Sequence, residues 1–252
     1  MNAVETILAF IPHPDDEAYS FGGTLALAAR KGWRCIVHCA THGEQGERHD
    51  GGPETPAALA DAREAELLAS CEALRIDAPQ FWGLPDGELH LHRGEEQRIQ
   101  QLITAHRPAL ILTLGEDGAY GHPDHIAVHR WVRNAWQSLG PEAPPLLFAA
   151  FPPRLFEPQY QKCLAAGVMG ESPELGPGDL GTPSPHYEID ITARSNAKRA
   201  AIAAHRTQLP GGDPETLFPP GIVEALLERE CLLDARGHAD PAVASLLASL
   251  VD

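Results

Sequence analysis

Five short apolar runs, each followed by a stretch of helical period, restrict the fold of this chain more than any other feature. They cover 6–11, 35–40, 80–84, 109–114 and 146–151. Between them lie helix signals at 21–31, closed by Gly32, and at 58–75, where Leu59, Ala62, Ala65, Leu67, Leu68 and Leu74 share one face. A third segment, 95–106, carries Ile99, Leu102 and Ile103 and is broken at Pro108; a fourth covers 124–139. Strands alternating with helices in this way predict βαβ units and an α/β fold, a mostly parallel sheet with helices on both faces.

Two stretches depart from the pattern. Residues 42–57 form a long polar loop with Gly43, Gly46, Gly51, Gly52, Pro53 and Pro56, a length that compact domains keep for functional or disordered segments. Residues 152–185 concentrate proline and read as a loop-rich excursion. Helix signals return at 192–206 and 222–234, with a short closing helix at 240–250. No internal repeat is present. Residues 1–252 are therefore expected to form one domain, with a core at about 5–151 and a loop-rich and helical part at about 152–252.

Charge narrows the partners. The chain has 19 Lys and Arg against 35 Asp and Glu, a formal net charge of −16. Nucleic acid and anionic membranes reward clustered cations, so neither is an expected partner. No apolar run approaches the ~20 residues needed to span a bilayer. Met1-Asn2-Ala3-Val4-Glu5 lacks the basic region of a secretory signal. Of the five cysteines, Cys35 and Cys39 lie four apart along a strand, ~13 Å at ~3.3 Å per residue, too far for a disulfide. Buried thiols in a reducing cytoplasm are the expectation.

In an open α/β sheet, ligands bind outside the carboxyl ends of the strands. The loop after the first strand reads Pro12-His13-Pro14-Asp15-Asp16-Glu17. The loop after the fourth leads into Tyr120-Gly121-His122-Pro123-Asp124-His125. Both project from one edge, so they can meet. His13 and Asp16, three apart in a turn, and His125 from the other loop make a suitable set for a catalytic zinc, since three protein ligands leave one position open. Asp15 then remains as a carboxylate able to take a proton from bound water. His122 can face an oxyanion or protonate a leaving amine. His38, His49, His90, His92, His129 and His186 read as ordinary surface or satisfied histidines, while His42, at a strand end, stays open. No dinucleotide fingerprint follows the first strand, no Gly-x-Ser-x-Gly elbow occurs, and no phosphate loop with Gly-Lys-Ser/Thr is present.

The segment Pro12 to Glu17 resembles the signature of the LmbE-like, or PIG-L, deacetylases. The likeness continues through Gly22-Gly23-Thr24-Leu25, Thr41-His42-Gly43-Glu44 and Arg63-Glu64-Ala65-Glu66. It resumes at His122-Pro123-Asp124-His125 and ends with Lys198 and Ala204-His205-Arg206-Thr207-Gln208. The resemblance implies a Rossmann-like fold and a zinc-dependent N-acetylglucosamine deacetylase, with one Zn2+ per chain. It implies His13, Asp16 and His125 as ligands, Asp15 as general base and His122 as its assistant. It also implies Arg63, Asp86 and Tyr120 as residues that meet the sugar. Two features depart from the family: Pro12 stands where alanine is common, and 43–57 and 152–185 follow none of its patterns.

The expected activity is removal of an N-acyl group, acetyl above all, from a small N-acetylglucosaminyl-type conjugate such as a precursor of a sugar thiol. An amidase acting on thiol conjugates or another N-acyl metabolite is a rival within the same class. A metal-binding sensor without turnover is a third reading, against which the intact Asp15 argues. His/Asp sites also take other divalent ions. The expected partner is a small N-acyl amino-sugar substrate, and a homo-oligomer is compatible with the sequence.

Overall fold

The first strand sets a two-sided architecture. In the computed structural model, which describes residues 4–49, 52–169, 175–217 and 221–251, β1 (Thr6–Ile11) is buried along its whole length. Its odd-numbered residues Ile7, Ala9 and Ile11 join one core with Phe21, Leu25 and Leu67. Its even-numbered Leu8 and Phe10 join a second with Ile99, Val128 and Val132. A strand covered on both faces is a continuous apolar run rather than an alternating one.

The chain continues through α1 (Asp16–Arg30), β2 (Arg34–Cys39), α2 (Pro56–Leu74), β3 (Gln80–Phe81), α3 (Glu95–His106), β4 (Leu110–Thr113) and the single turn α4 (Gly118–Gly121). There follow α5 (Pro123–Ser138), β5 (Leu146–Ala150), α6 (Glu157–Ala165), β6 (Tyr187–Asp190), α7 (Ser195–Ala204), α8 (Ile222–Glu228), β7 (Arg229–Asp234) and α9 (Pro241–Val251). The seven strands among the described residues form one sheet in the order β3-β2-β1-β4-β5-β7-β6. The first five are parallel, and β7 and β6 run antiparallel at one edge. Helices α1, α2, α7 and α9 pack together on one face, and α3 with α5 on the other. The chain leaves β1 towards β2 and later returns to its other side as β4. The crevice at that switch point is where such sheets bind ligands.

The α/β class and the parallel core match the sequence reading, but several elements differ. Residues 229–234 are strand β7, not the end of a helix. Their buried positions include the charged Glu230 and Asp234, so the apolar alternation that announces a strand is inverted. Strand β6 is four residues long, buries Tyr187 and Ile189, and points Glu188 and Asp190 outward, a charged edge that blunts further pairing. Helix α1 begins at Asp16 rather than Phe21, and the third strand is only two residues. Within the loop-rich 152–185, α6 occupies Glu157–Ala165; residues 170–174 of that stretch, and 50–51 of the expected 42–57 loop, lie outside the described residues. No helix among the described residues is long and apolar enough to cross a membrane.

Candidate active site

Two loops at the switch point supply the polar residues. After β1 the chain turns through Pro12-His13-Pro14, and Asp15 stands at the amino end of α1 with φ of 119°. After β4, Asp117 shapes the second loop: one carboxylate oxygen accepts from Ala119 N and the other from Gly181 N. His122 then caps α5, its Nδ1 accepting from Asp124 N at 3.2 Å, with Pro123 in the first helical position. That start places His125 in the first turn of α5, facing the β1 loop.

The two loops meet through three side chains. His13 Nδ1 lies 3.2 Å from His125 Nε2 and 3.6 Å from Asp16 Oδ2, and His125 Nε2 lies 3.5 Å from Asp16 Oδ1. Zinc ligands at ~2.0–2.1 Å in a tetrahedral array stand ~3.3 Å apart, the spacing of the His13 and His125 nitrogens, while Asp16 faces each histidine with a different carboxylate oxygen. The other nitrogen of His13, Nε2, is 3.0 Å from Asp86 Oδ1 and 3.3 Å from Asp124 Oδ2. Those carboxylates are held by backbone N–H groups: Asp86 accepts from Gln45, and Asp124 from Gly87 and Leu89. A carboxylate behind a ligating histidine fixes its tautomer and raises its basicity.

His13, His122 and His125 form a second grouping close enough to share an ion. Tautomerism distinguishes His122 from the others. Its Nδ1 accepts a backbone hydrogen bond, so the neutral ring carries its proton on Nε2 and acts there as a donor rather than a ligand. A further grouping of His13, Asp86 and Asp124 is satisfied by donation from His13 Nε2.

Burial and charge shape the ionisation. For Asp16, burial pushes the carboxyl up, but His125 and His13 outweigh it and bring it down to about 2. Burial takes His125 down to about 4, which leaves it unprotonated at neutral pH. Burial also opposes charge on His13, yet Asp86, Asp124 and Asp16 raise it well above the ordinary histidine value. Asp15 is pushed up to about 6 by burial, opposed by Arg63 and assisted by Asp16.

Asp15 is not part of the His13–Asp16–His125 set. Its Oδ2 accepts from Arg63 Nη2 at 3.2 Å, and the same guanidinium donates to the carbonyls of Pro14 and Gly43. Gly43, with φ of +69°, leaves room for this: a Cβ there would stand 2.3 Å from Arg63 Nη1. Tyr120 Oη is 3.5 Å from His125 Nε2. His13, Asp15, Arg63, Asp86, Tyr120 and His122 all line one cavity of about 500 Å³. Its outer wall comes from the two stretches that follow no family pattern, joined by an ion pair of 2.5 Å between Lys162 of α6 and Glu47. A second cavity, of about 300 Å³, lies beside Lys198 and Glu230, whose charges already pair with each other at 2.6 Å.

The structure thus brings together all eight residues singled out in the sequence. Sequence reasoning passed over Asp124 as a partner of His13, and over His49, read as ordinary, which lines the cavity and stands 3.3 Å from Glu47. His42 stacks on Phe81 at 4.6 Å and faces Glu64. Among the others, His129 Nδ1 bonds the Leu114 carbonyl and His186 Nδ1 accepts from Asp234 N. Asp124 was legible only as a neighbour of His125, because its role depends on a loop 37 residues earlier.

Comparison with known proteins adds independent findings. The family model described as "PIG-L: GlcNAc-PI de-N-acetylase" matches residues 8–136, just over half of the chain. A 1D-myo-inositol 2-acetamido-2-deoxy-alpha-D-glucopyranoside deacetylase of Nakamurella multipartita is 32% identical over 243 residues, covering 81% of this chain and 81% of the relative. Among solved structures, the N,N'-diacetylchitobiose deacetylase of Pyrococcus horikoshii superposes with a TM-score of 0.64 at 21% identity, covering 91% of this chain and 83% of that one. The 4-carboxy-2-hydroxymuconate hydratase of Pseudomonas putida gives 0.63 at 19% identity, covering 92% and 96%. One architecture therefore carries both deacetylation and hydration, and the reaction has to be argued from the site.

Proposed function

The chain belongs to the PIG-L family, and from that premise we propose that it is a metal-dependent N-deacetylase of a small N-acetylglucosaminyl conjugate. One observation carries the reading. Three ligand-type side chains converge within 3.6 Å of one another, beside a carboxylate that is held apart from them by an arginine. A binding site without turnover has no use for that separately held carboxylate. The relatives' substrate, an N-acetylglucosaminyl inositol, suits a cavity of about 500 Å³ rimmed by Gln45, Glu47, His49 and Lys162, which offers a polyol many polar partners.

In this proposal His13, Asp16 and His125 hold one divalent ion, zinc in the first instance. Such an ion polarises an amide carbonyl and lowers the pKa of water. Asp15 receives the proton lost as water adds to the acyl carbon. It delivers that proton to the amine nitrogen as the C–N bond breaks, leaving carboxylate and free amine. His122 donates from Nε2 to the developing oxyanion, its tautomer fixed by the Asp124 N–H. Tyr120, Asp86 and Arg63 meet the sugar from the cavity wall, while the bonds that Asp86 and Arg63 already make steady His13 and Asp15.

The test is product stoichiometry. Zinc-supplied protein incubated with N-acetylglucosaminyl inositol is expected to release acetate and primary amine in equal amounts. Failure to release either from any N-acetylglucosaminide in a panel would contradict the proposal.

A further inference from the structure

Four observations around Asp15 remain unused by this chemistry. First, its backbone φ of 119° is a conformation that only glycine adopts without strain, and such strain persists only where the surroundings enforce it. Second, the Asp15 N–H donates to Glu17 Oε2 at 3.1 Å. Third, the other oxygen, Oε1, accepts from Ser70 Oγ of α2 and stands 2.9 Å from His205 Nε2, just beyond α7. Fourth, Glu17, Ser70 and His205 are all fully buried.

A carboxylate that merely caps a helix sits in water and needs no tertiary partners. Here burial of a carboxylate, a hydroxyl and an imidazole is costly unless they find partners, and Glu17 Oε1 meets both Ser70 Oγ and His205 Nε2, while His205 Nδ1 has no hydrogen-bond partner among the described residues. Helix α2 holds Asp15 by two routes from one face, since Arg63 and Ser70 are seven residues apart, two helical turns. The segment carrying His205 is itself tied to α2. Glu66 accepts from Thr207 N at 2.7 Å and from Thr207 Oγ1 at 2.8 Å.

Resting on the assignment of Asp15 as base, we infer that Glu17, with Ser70 and His205 behind it, is a positioning unit that fixes the strained Asp15 backbone and so aims its carboxylate. Glu17 acts through the Asp15 amide and touches no substrate. His205 acts through Glu17. This gives the His205 to Gln208 segment, bonded to Glu66 of α2 through Thr207 and to Glu17 through His205, a part in the reaction.

The test is a double-mutant cycle in the zinc-loaded full chain. Ser70→Ala and His205→Leu remove donors with little change of volume, whereas Ser70→Thr and His205→Gln keep a donor. Each donor-free variant is expected to lower kcat about 10-fold to 100-fold, the scale of a misplaced reacting group, while KM changes less than about threefold. Metal content stays at the wild-type level, and the donor-keeping variants recover most of kcat. In an Asp15→Asn background the same substitutions are expected to cost less than about twofold, because the group they aim is gone. Equal losses in both backgrounds overturn the inference while leaving Asp15 as base. A fall in thermal midpoint with kcat per folded molecule unchanged also overturns it. An Asp15→Asn protein with near-normal turnover overturns the base assignment and, with it, the inference.

Discussion

At the residue scale, much of the chemistry is a matter of which polar groups are buried with partners and which without. His38 on β2 is the clearest case without. It is 4% exposed, stacks on Phe10 of the neighbouring strand at 5.3 Å, and has no hydrogen-bond partner on either ring nitrogen. Burial, with His106 and Arg98 nearby, takes its pKa down to about 4. A folded-state value below the unfolded ~6.5 means that its share of stability is present above pH 6.5 and lost as pH falls towards 4. Wild type is therefore expected to lose about 2 kcal/mol between pH 7 and pH 5 relative to His38→Phe, read from urea midpoints at the two pH values. Identical losses in both proteins would show that His38 is already charged or solvated in the fold. The dense His and Asp of the two strand-end loops were legible in the sequence because six such residues fall within two six-residue windows. Glu17 and Asp124 sit in the same windows, but their partners, Ser70, His205, Gly87 and Leu89, are far away in the chain. Nothing local announces those contacts.

At the scale of elements, the sequence shows where apolar period is clean and hides where polar groups go inside. Strands β1, β4 and β5 were readable because their buried positions are mostly apolar, and helix α2 because Leu59, Leu67 and Leu74 keep its apolar period even though Arg63 and Ser70 are buried beside them. Strand β7 was not, because Glu230 and Asp234 occupy its inner face. Glu230 takes bonds from Lys198, Gly23 N and Thr24, and Asp234 takes one from Tyr187 Oη. The same region explains the Gly22-Gly23 pair inside α1. A Cβ on Gly23 would come within 2.6 Å of three atoms of Ile191, so α1 packs there backbone to side chain. In an exposed helix interior, glycine to alanine stabilises by roughly 0.5–1 kcal/mol. Here the sign is expected to reverse: Gly23→Ala should destabilise by about 1–3 kcal/mol through overpacking, measured by chemical denaturation. A more stable Gly23→Ala protein would mean that α1 and Ile191 are not in close contact.

At the scale of the whole molecule, the site sits on loops carried by a sheet with two apolar cores, so the fold does not need the ion. Chelation is expected to abolish activity while far-UV circular dichroism stays near that of the untreated protein, unlike a zinc finger that unfolds without metal. Global unfolding on chelation would make the His13–Asp16–His125 set a structural site. Within a chain of net charge −16, the base lies against Arg63 in a cavity that also carries Lys162. The central claim separates ligand from base at two adjacent carboxylates, and metal content and turnover measured together on three proteins test it most directly. Wild type is expected to hold about one zinc per chain and to release acetate, Asp16→Ala to lose both properties, and Asp15→Asn to keep the metal while kcat falls at least ~10²-fold. Full metal occupancy in Asp16→Ala, or near-normal turnover in Asp15→Asn, would contradict the account.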